Sequence, residues 1–133
     1  MHAHELDAIV QLSFAVQALL SDLATEHELS LTQLRLLAIL RDREPPMLDL
    51  ARLLRLEKSS ASGLIDRAVR RGLVERVAAP HDGRVTLVRL TAEGRRLSER
   101  LEARAYDGLE RLLDPLPAPE RARLAALAGA AIG

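Results

Sequence analysis

The stretch from Leu53 to Thr91 constrains the fold of this chain most. A short segment from about Lys58 has helical spacing and stops at Gly72, a residue suited to the left-handed position that closes a helix. At about 100° per residue, Ala61, Leu64, Ile65 and Ala68 share one face. The opposite face carries Ser59, Ser62, Gly63, Asp66, Arg67 and Arg70, with Ser60 at its margin. Two β-type runs follow at once, Leu73–Val77 and Val85–Leu90. They are joined by Ala79-Pro80-His81-Asp82-Gly83-Arg84, in which Pro80 and Asp82-Gly83 are turn residues. A helix with a polar outer face, followed directly by a basic hairpin, leaves few architectures open.

The remaining elements are helical. Leu6, Ile9, Val10, Phe14, Val16, Leu19, Leu20 and Leu23 predict a long first helix from about Glu5 to His27. Its broad apolar side suits packing against a second subunit as well as its own core. Ser30 and Gln33 fit a capping box, with Gln33 reaching back, ahead of a helix over 31–41 whose Leu34, Leu37, Ala38 and Leu40 face inward. Pro45-Pro46 ends that segment. A short helix over 47–54 follows, and Arg55-Leu56-Glu57 is a tight connection to the next. Thr91 is the expected N-cap of a helix over 92–113, and Pro119-Glu120 opens a last one to about Ala131.

Composition narrows function. With 133 residues the chain is one domain, and with 2% aromatics its core must be built from Leu, Ala and Val, which favours helices. No cysteine is present, so disulfides, thiolate catalysis and Cys-based zinc sites are excluded. No apolar run approaches a membrane span of roughly 20 residues, and the start Met1-His2-Ala3-His4-Glu5 lacks a signal-peptide pattern, so a cytoplasmic protein without membrane association is expected. The net charge is zero but segregated. Residues 52–100 hold twelve Lys/Arg against six acids, a local balance of +6. Residues 1–51 stand at −5, with three Arg against eight acids, and residues 101–133 at −1, with four against five. A basic middle between acidic ends is an electrostatic footprint for nucleic acid.

Together these features predict a mainly α winged helix-turn-helix of about six helices with a two- to three-stranded β-wing. Double-stranded DNA is the expected partner. Lys58, Ser59, Ser60, Ser62, Gly63, Arg67 and Arg70 would face the major groove, where small side chains permit close approach and Arg reaches bases or phosphates. Arg84 at the hairpin tip suits a narrow minor groove, with Asp82 placed to orient it.

The pieces SLTQLRLLAIL, MLDLARLL, SSASGLIDRAVRRGLVER and PHDGRVTLVRLTAEG resemble the MarR family of bacterial transcriptional regulators. The last piece is similar to the family's Asp-x-Arg wing followed by Leu-Thr-x-x-Gly. The resemblance covers nearly the whole chain and is strongest over 53–94. It implies an intertwined homodimer, with residues 1–29 and 92–133 supplying dimerisation helices and 30–91 the DNA-binding unit. It implies a repressor that reads a pseudo-palindromic site. It implies that the wing Arg, here Arg84, either enters the minor groove or pairs with an acid on the recognition helix; Asp66 matches that acid, which makes Asp66 and Arg84 a candidate switch pair. A small anionic or phenolic effector is also implied, with Phe14, Arg35 and Tyr106 as its pocket and Arg41 as a second cation. The chain departs from three branches of the family. It has no cysteine for peroxide sensing and no Trp for the urate-responsive type, and His2, His4, Glu26, His27 and Glu28 read as solvated residues rather than zinc ligands. No metal or cofactor is expected.

Catalysis is a poor reading, because no nucleophile elbow, phosphate loop or dinucleotide fingerprint is present. The serious rival is a helical dimeric adaptor without DNA binding. It accounts for the Ala/Leu-rich helices but not for the segregated charge or the hairpin.

Overall fold

The computed structural model describes residues 1–133, in the order α1 (Ala3–Glu26), α2 (Leu31–Leu40), α3 (Met47–Leu54), α4 (Lys58–Arg70), β1 (Val74–Ala79), β2 (Asp82–Leu90), α5 (Ala92–Leu112) and α6 (Ala118–Ile132). The strands form an antiparallel hairpin in which Val74 faces Leu90 and Val77 faces Leu87. Pro46 adds a one-residue bridge to Leu87, and the Val88 amide donates to the Pro45 carbonyl at 3.0 Å. The third strand of the wing is therefore reduced to a single bridge. This is the mainly α winged helix-turn-helix architecture expected from the sequence.

The core gathers Leu36, Leu37 and Leu40 of α2, Leu50 and Leu54 of α3, and Leu64, Ile65 and Ala68 of α4. Val74, Val88, Leu90, Leu97 and Leu101 close it from the wing and α5. The apolar face of α4 is the one its periodicity predicts. In α2 the phase differs: Leu36 is fully buried, Leu34 is half-buried and Ala38 is exposed. The run from Leu34 to Leu40 is apolar nearly all round, so periodicity alone cannot choose its inner face.

The hairpin also corrects an expectation. The strands extend to Ala79 and Asp82, with an irregularity between Ala78 and Ala79, so the chain reverses at Pro80-His81. Gly83 then lies within β2 and has no positive φ. Proline, with its preset φ, does the work expected of glycine.

The helix ends are fixed locally. The Schellman-type end of α1 places Glu28 at φ 58°, with the Leu29 amide donating to the Ala24 carbonyl at 2.9 Å. Arg71 reaches across from the end of α4 and donates to the Glu28 and His27 carbonyls at 2.8 and 3.1 Å. The Ser30 hydroxyl accepts from the Gln33 amide at 3.1 Å, but the Gln33 side chain does not reach back, so the capping box is half made.

The first helix overturns one expectation. At 24 residues α1 is long and apolar enough, by length and composition, to cross a membrane. Between Asp7 and Asp22 no charged residue interrupts it. Only Leu23 and Ala24 of α1 are buried, and α6 buries nothing. Leu6, Ile9, Val10, Phe14, Leu127 and Ile132 are left as exposed large apolar side chains on the two terminal helices.

The junction of wing and α5 is the tightest point of the fold. A Cβ on Gly94 would lie 1.9 Å from the Leu73 carbonyl oxygen, a backbone atom that cannot swing aside. Gly94→Ala is expected to cost roughly 2–3 kcal/mol, as overpacking of a rigid site does. Gly129→Ala, where a Cβ meets open space, should instead stabilise by up to about 1 kcal/mol through helix propensity. Thermal unfolding of the two variants checks the contrast.

Candidate nucleic-acid interface

The outer face of α4 is built by what its inner face buries. With Ala61, Leu64, Ile65 and Ala68 held in the core, Lys58, Ser59, Ser60, Arg67 and Arg70 stand exposed, and Ser62 and Gly63 are half-buried along the same surface. The helix-turn-helix connection is closed by Arg55 in the left-handed conformation, with the Leu56 amide donating to the Ala51 carbonyl at 2.9 Å. That turn projects the first residues of α4 away from α3. Small side chains at the tip keep the helix backbone accessible. The Arg67 guanidinium folds back along the helix, 3.4 Å from where a Cβ of Gly63 would sit.

Neither Arg67 nor Arg70 forms an ion pair within the chain, and neither does Lys58. Their charge is therefore unspent on the surface. The wing Arg84 is 92% exposed in its side chain, and both its amide and its Nε donate to Asp82 Oδ1 at 3.1 Å. Asp82 thus binds both the Arg84 backbone amide and the guanidinium Nε, and leaves the two Nη groups in solvent.

The structure does not bring Asp66 and Arg84 together. Asp66 is paired instead with Arg76, and Arg84 with Asp82. The reason is distance along the hairpin. Arg76 sits near the base of β1, against α4, whereas Arg84 lies beyond the irregularity at the far end of β2. The Arg76 partnership carries no local motif, since the two residues meet only once the strand packs against the helix. One register closer to the hairpin's base than Arg76, Arg89 is held protonated by its hydrogen bond to Glu75, at 2.7 Å across the strands.

A separate cleft of about 630 Å³ lies between α1, α2 and α5. Leu20, Leu34, Leu37 and Leu101 form apolar walls, and Arg35, Arg41, Ser98, Glu102 and Tyr106 supply its polar groups. Of the three residues expected to form an effector pocket, Arg35 and Tyr106 line this cleft. Phe14 does not; it is 58% exposed, too far toward the free end of α1, and Gln17 and Leu20 line the cleft in its place. Arg41 spans the mouth. It donates to Asp42 at 2.8 Å, to Glu102 at 2.5 Å and to the Tyr106 hydroxyl at 3.5 Å. The Asp42 and Glu102 carboxylates keep Arg41 firmly protonated, and the Arg41 hydrogen bond in turn lowers the Asp42 carboxyl below its usual range. Ser98 was missed by sequence reasoning, although a polar residue between Leu97 and Leu101 on the inner side of α5 is a visible break in the pattern.

A family model described as the MarR family matches residues 27–85. Wild-type apo MarR from E. coli is 24% identical, with a TM-score of 0.80 over 100% of this chain and 98% of that one. A probable transcriptional regulator from Pseudomonas aeruginosa is 29% identical, with a TM-score of 0.71 over 92% of each chain. The match to the MarR family thus covers residues 27–85, the segment from the end of α1 to the wing, and the whole chain shares the fold of these regulators. A cysteine-to-serine variant of E. coli MarR, complexed with operator DNA, is 25% identical, with a TM-score of 0.76 over 96% of this chain and 92% of that one. No curated protein matches the chain by sequence. Within this MarR-family fold, Arg71 is the one cation near the α4 face that is committed to the chain's own backbone. Arg71→Ala should lower stability by about 1 kcal/mol through loss of charge-assisted hydrogen bonds. Arg84→Ala should change it by less than about 0.5 kcal/mol, as an exposed substitution does. Urea denaturation distinguishes the two.

Proposed function

We propose that the chain is a transcriptional regulator that binds double-stranded DNA as a homodimer. The observation that carries this reading is the exposed outer face of α4 beside a wing that ends in a solvent-facing Arg84. Ser59, Ser60, Ser62 and Gly63 form a low-relief surface that enters a major groove, and Lys58, Arg67 and Arg70 bring unpaired charge. Asp82 restrains Arg84, so that less side-chain freedom is lost when the guanidinium enters a minor groove. The relative complexed with operator DNA shares this fold, which supports DNA binding here.

Dimerisation through residues 1–29 and 92–133 is supported by the apolar side chains of α1 and α6 that the single chain leaves in water. A second copy covers them in this reading, not lipid, and residues 30–91 form the DNA-binding unit. The protein acts in the cytoplasm, as a repressor of a pseudo-palindromic site, with catalysis playing no part. The adaptor alternative leaves the charged α4 face and wing without a use.

Fluorescence anisotropy with duplex from the gene's own upstream region tests the proposal. Affinity should fall steeply with salt, as release of condensed counterions requires. Arg84→Ala should weaken binding by roughly tenfold, while sedimentation still gives two chains per particle and melting is unchanged. A wild-type protein that ignores duplex DNA at low salt overturns the reading in favour of the adaptor.

The cleft beneath α1 supports a ligand-responsive regulator. Ser98 is buried and makes no side-chain hydrogen bond, and Arg35 has no ion-pair partner. An apolar chamber with a hydroxyl and cations at its edge suits a small anionic or phenolic effector. Such a ligand lowers operator affinity only by its preference for a half-site spacing unsuited to DNA. Benzoate and its hydroxylated analogues are expected to raise the melting temperature of the wild type, with the shift lost in Arg35→Ala. Equal shifts in both proteins would exclude Arg35 from the site.

A further inference from the structure

A second cleft, of about 540 Å³, opens between the start of α2 and the flank of α4; its Arg67 and Arg70 belong to the DNA-facing surface, but its α2 wall has no part in the proposed function. It is lined by Glu28, Ser30, Gln33, Arg67, Arg70 and Arg71, with no hydrophobic residue among them. Arg71 is spent on the backbone of α1, and the Ser30 hydroxyl on the Gln33 amide. Arg67 and Arg70 are unpaired. At the start of α2 the first-turn backbone N–H groups have no helical carbonyl to meet.

Gln33 is the telling residue. It is only 9% exposed, yet its side-chain amide forms no hydrogen bond in the protein. No fully buried side-chain polar atom lacks a partner, so the Gln33 amide must reach the open space of this cleft. A glutamine nine-tenths buried with an unused amide loses hydration on folding and recovers nothing internally. A capping box would have used it, and the helix leaves that bond unmade.

We infer that the cleft seats one backbone phosphodiester of duplex DNA, held by the Gln33 amide together with the Arg67 and Arg70 guanidinium groups. The inference rests on the DNA-binding reading and adds to it a contact outside the recognition helix's first turn. Arg67 and Arg70 lie on the α4 face that carries Ser59 and Ser62, so a duplex on that face runs its backbone past the cleft. Glu28 on the wall selects by charge: it opposes a dianion more than the single charge of a phosphodiester. A phosphate anchored to α2 as well as α4 sets the angle at which the recognition helix enters the groove, without reading a base.

The test is a scan of single methylphosphonate substitutions along a duplex that the wild type binds. One position per half-site should weaken wild-type binding by about fivefold, the size expected for loss of one net hydrogen bond of about 1 kcal/mol. Gln33→Leu should bind the unmodified duplex about fivefold more weakly and be indifferent to neutralisation at that position. Gln33→Met is the substitute should the leucine variant unfold, because its shape is closer. Arg70→Ala should reduce the salt slope by about one. Identical scans for wild type and the Gln33 variants overturn the inference. So does a Gln33 side-chain amide resonance that shifts with millimolar inorganic phosphate while the scans stay identical, which assigns the cleft to a free anion. Failure of the wild type to bind any duplex removes the DNA reading and this contact with it, a result distinct from an unchanged scan.

Discussion

The architecture depends on a backbone approach that only glycine permits. At the base of the wing, the Thr91 amide donates to the Leu73 carbonyl at 3.0 Å, and the Thr91 hydroxyl donates to the Gly72 carbonyl at 2.6 Å. That hydroxyl also accepts from the Gly94 amide at 3.0 Å and so caps α5. One threonine therefore binds the end of the recognition helix, the closing of the hairpin and the start of the long helix α5. Gly94 is what lets α5 come close enough, since any side chain there meets the Leu73 carbonyl. Gly72, at φ 75°, turns the chain from α4 into the wing at the same place. The position of α4 relative to α5 is thus set by backbone geometry rather than by exposed ion pairs, which contribute little in water.

Charge is used for a different purpose. The zero net charge hides a division of labour between cations. Arg41, Arg71, Arg76 and Arg89 are committed to partners inside the chain, whereas Lys58, Arg67 and Arg70 are not. Arg84 is intermediate, its guanidinium Nε held by Asp82 and its Nη groups open to solvent. Counting Lys and Arg over 52–100 could not separate these groups. The distinction requires knowing which face of each element is turned inward, and on α4 that face was readable because its apolar residues repeat cleanly against serines and arginines.

Legibility varied with how sharply the local pattern contrasts. The order of elements, the Gly72 stop and the Thr91 cap were evident, because each is a local choice with a single good solution. The inner face of α2 was not, because Leu34 to Leu40 offers apolar residues in every direction and the neighbouring helices decide. The turn expected over Ala79–Arg84 closes at Pro80-His81 alone, since strand pairing carries on through Asp82-Gly83 despite its strong turn signal. Asp66 found Arg76 rather than Arg84, and Phe14 missed the cleft, for one shared reason. Both expectations rested on resemblance, and long-range contacts depend on how far along a hairpin or helix a residue falls. The apolar length of α1 was underestimated because isolated Gln and Ser residues disguise a segment that contains no charge.

The same geometry makes the two clefts ends of one mechanical path. Arg71 ties the end of α4 to the end of α1, and α1 forms a wall of the larger cleft through Gln17 and Leu20. The smaller cleft shares α2 with the larger, Gln33 lining one and Leu34 and Arg35 the other. Any occupant that displaces α2 from α1 or α5 must therefore also alter the relation of Gln33 to Arg67 and Arg70. Close-packed cores resist such shifts as units instead of absorbing them locally. If an effector occupies the larger cleft as proposed, its coupling to DNA needs no dedicated relay of side chains. It follows from α2 having one wall in each cleft, with Leu36, Leu37 and Leu40 between them fixed in the core.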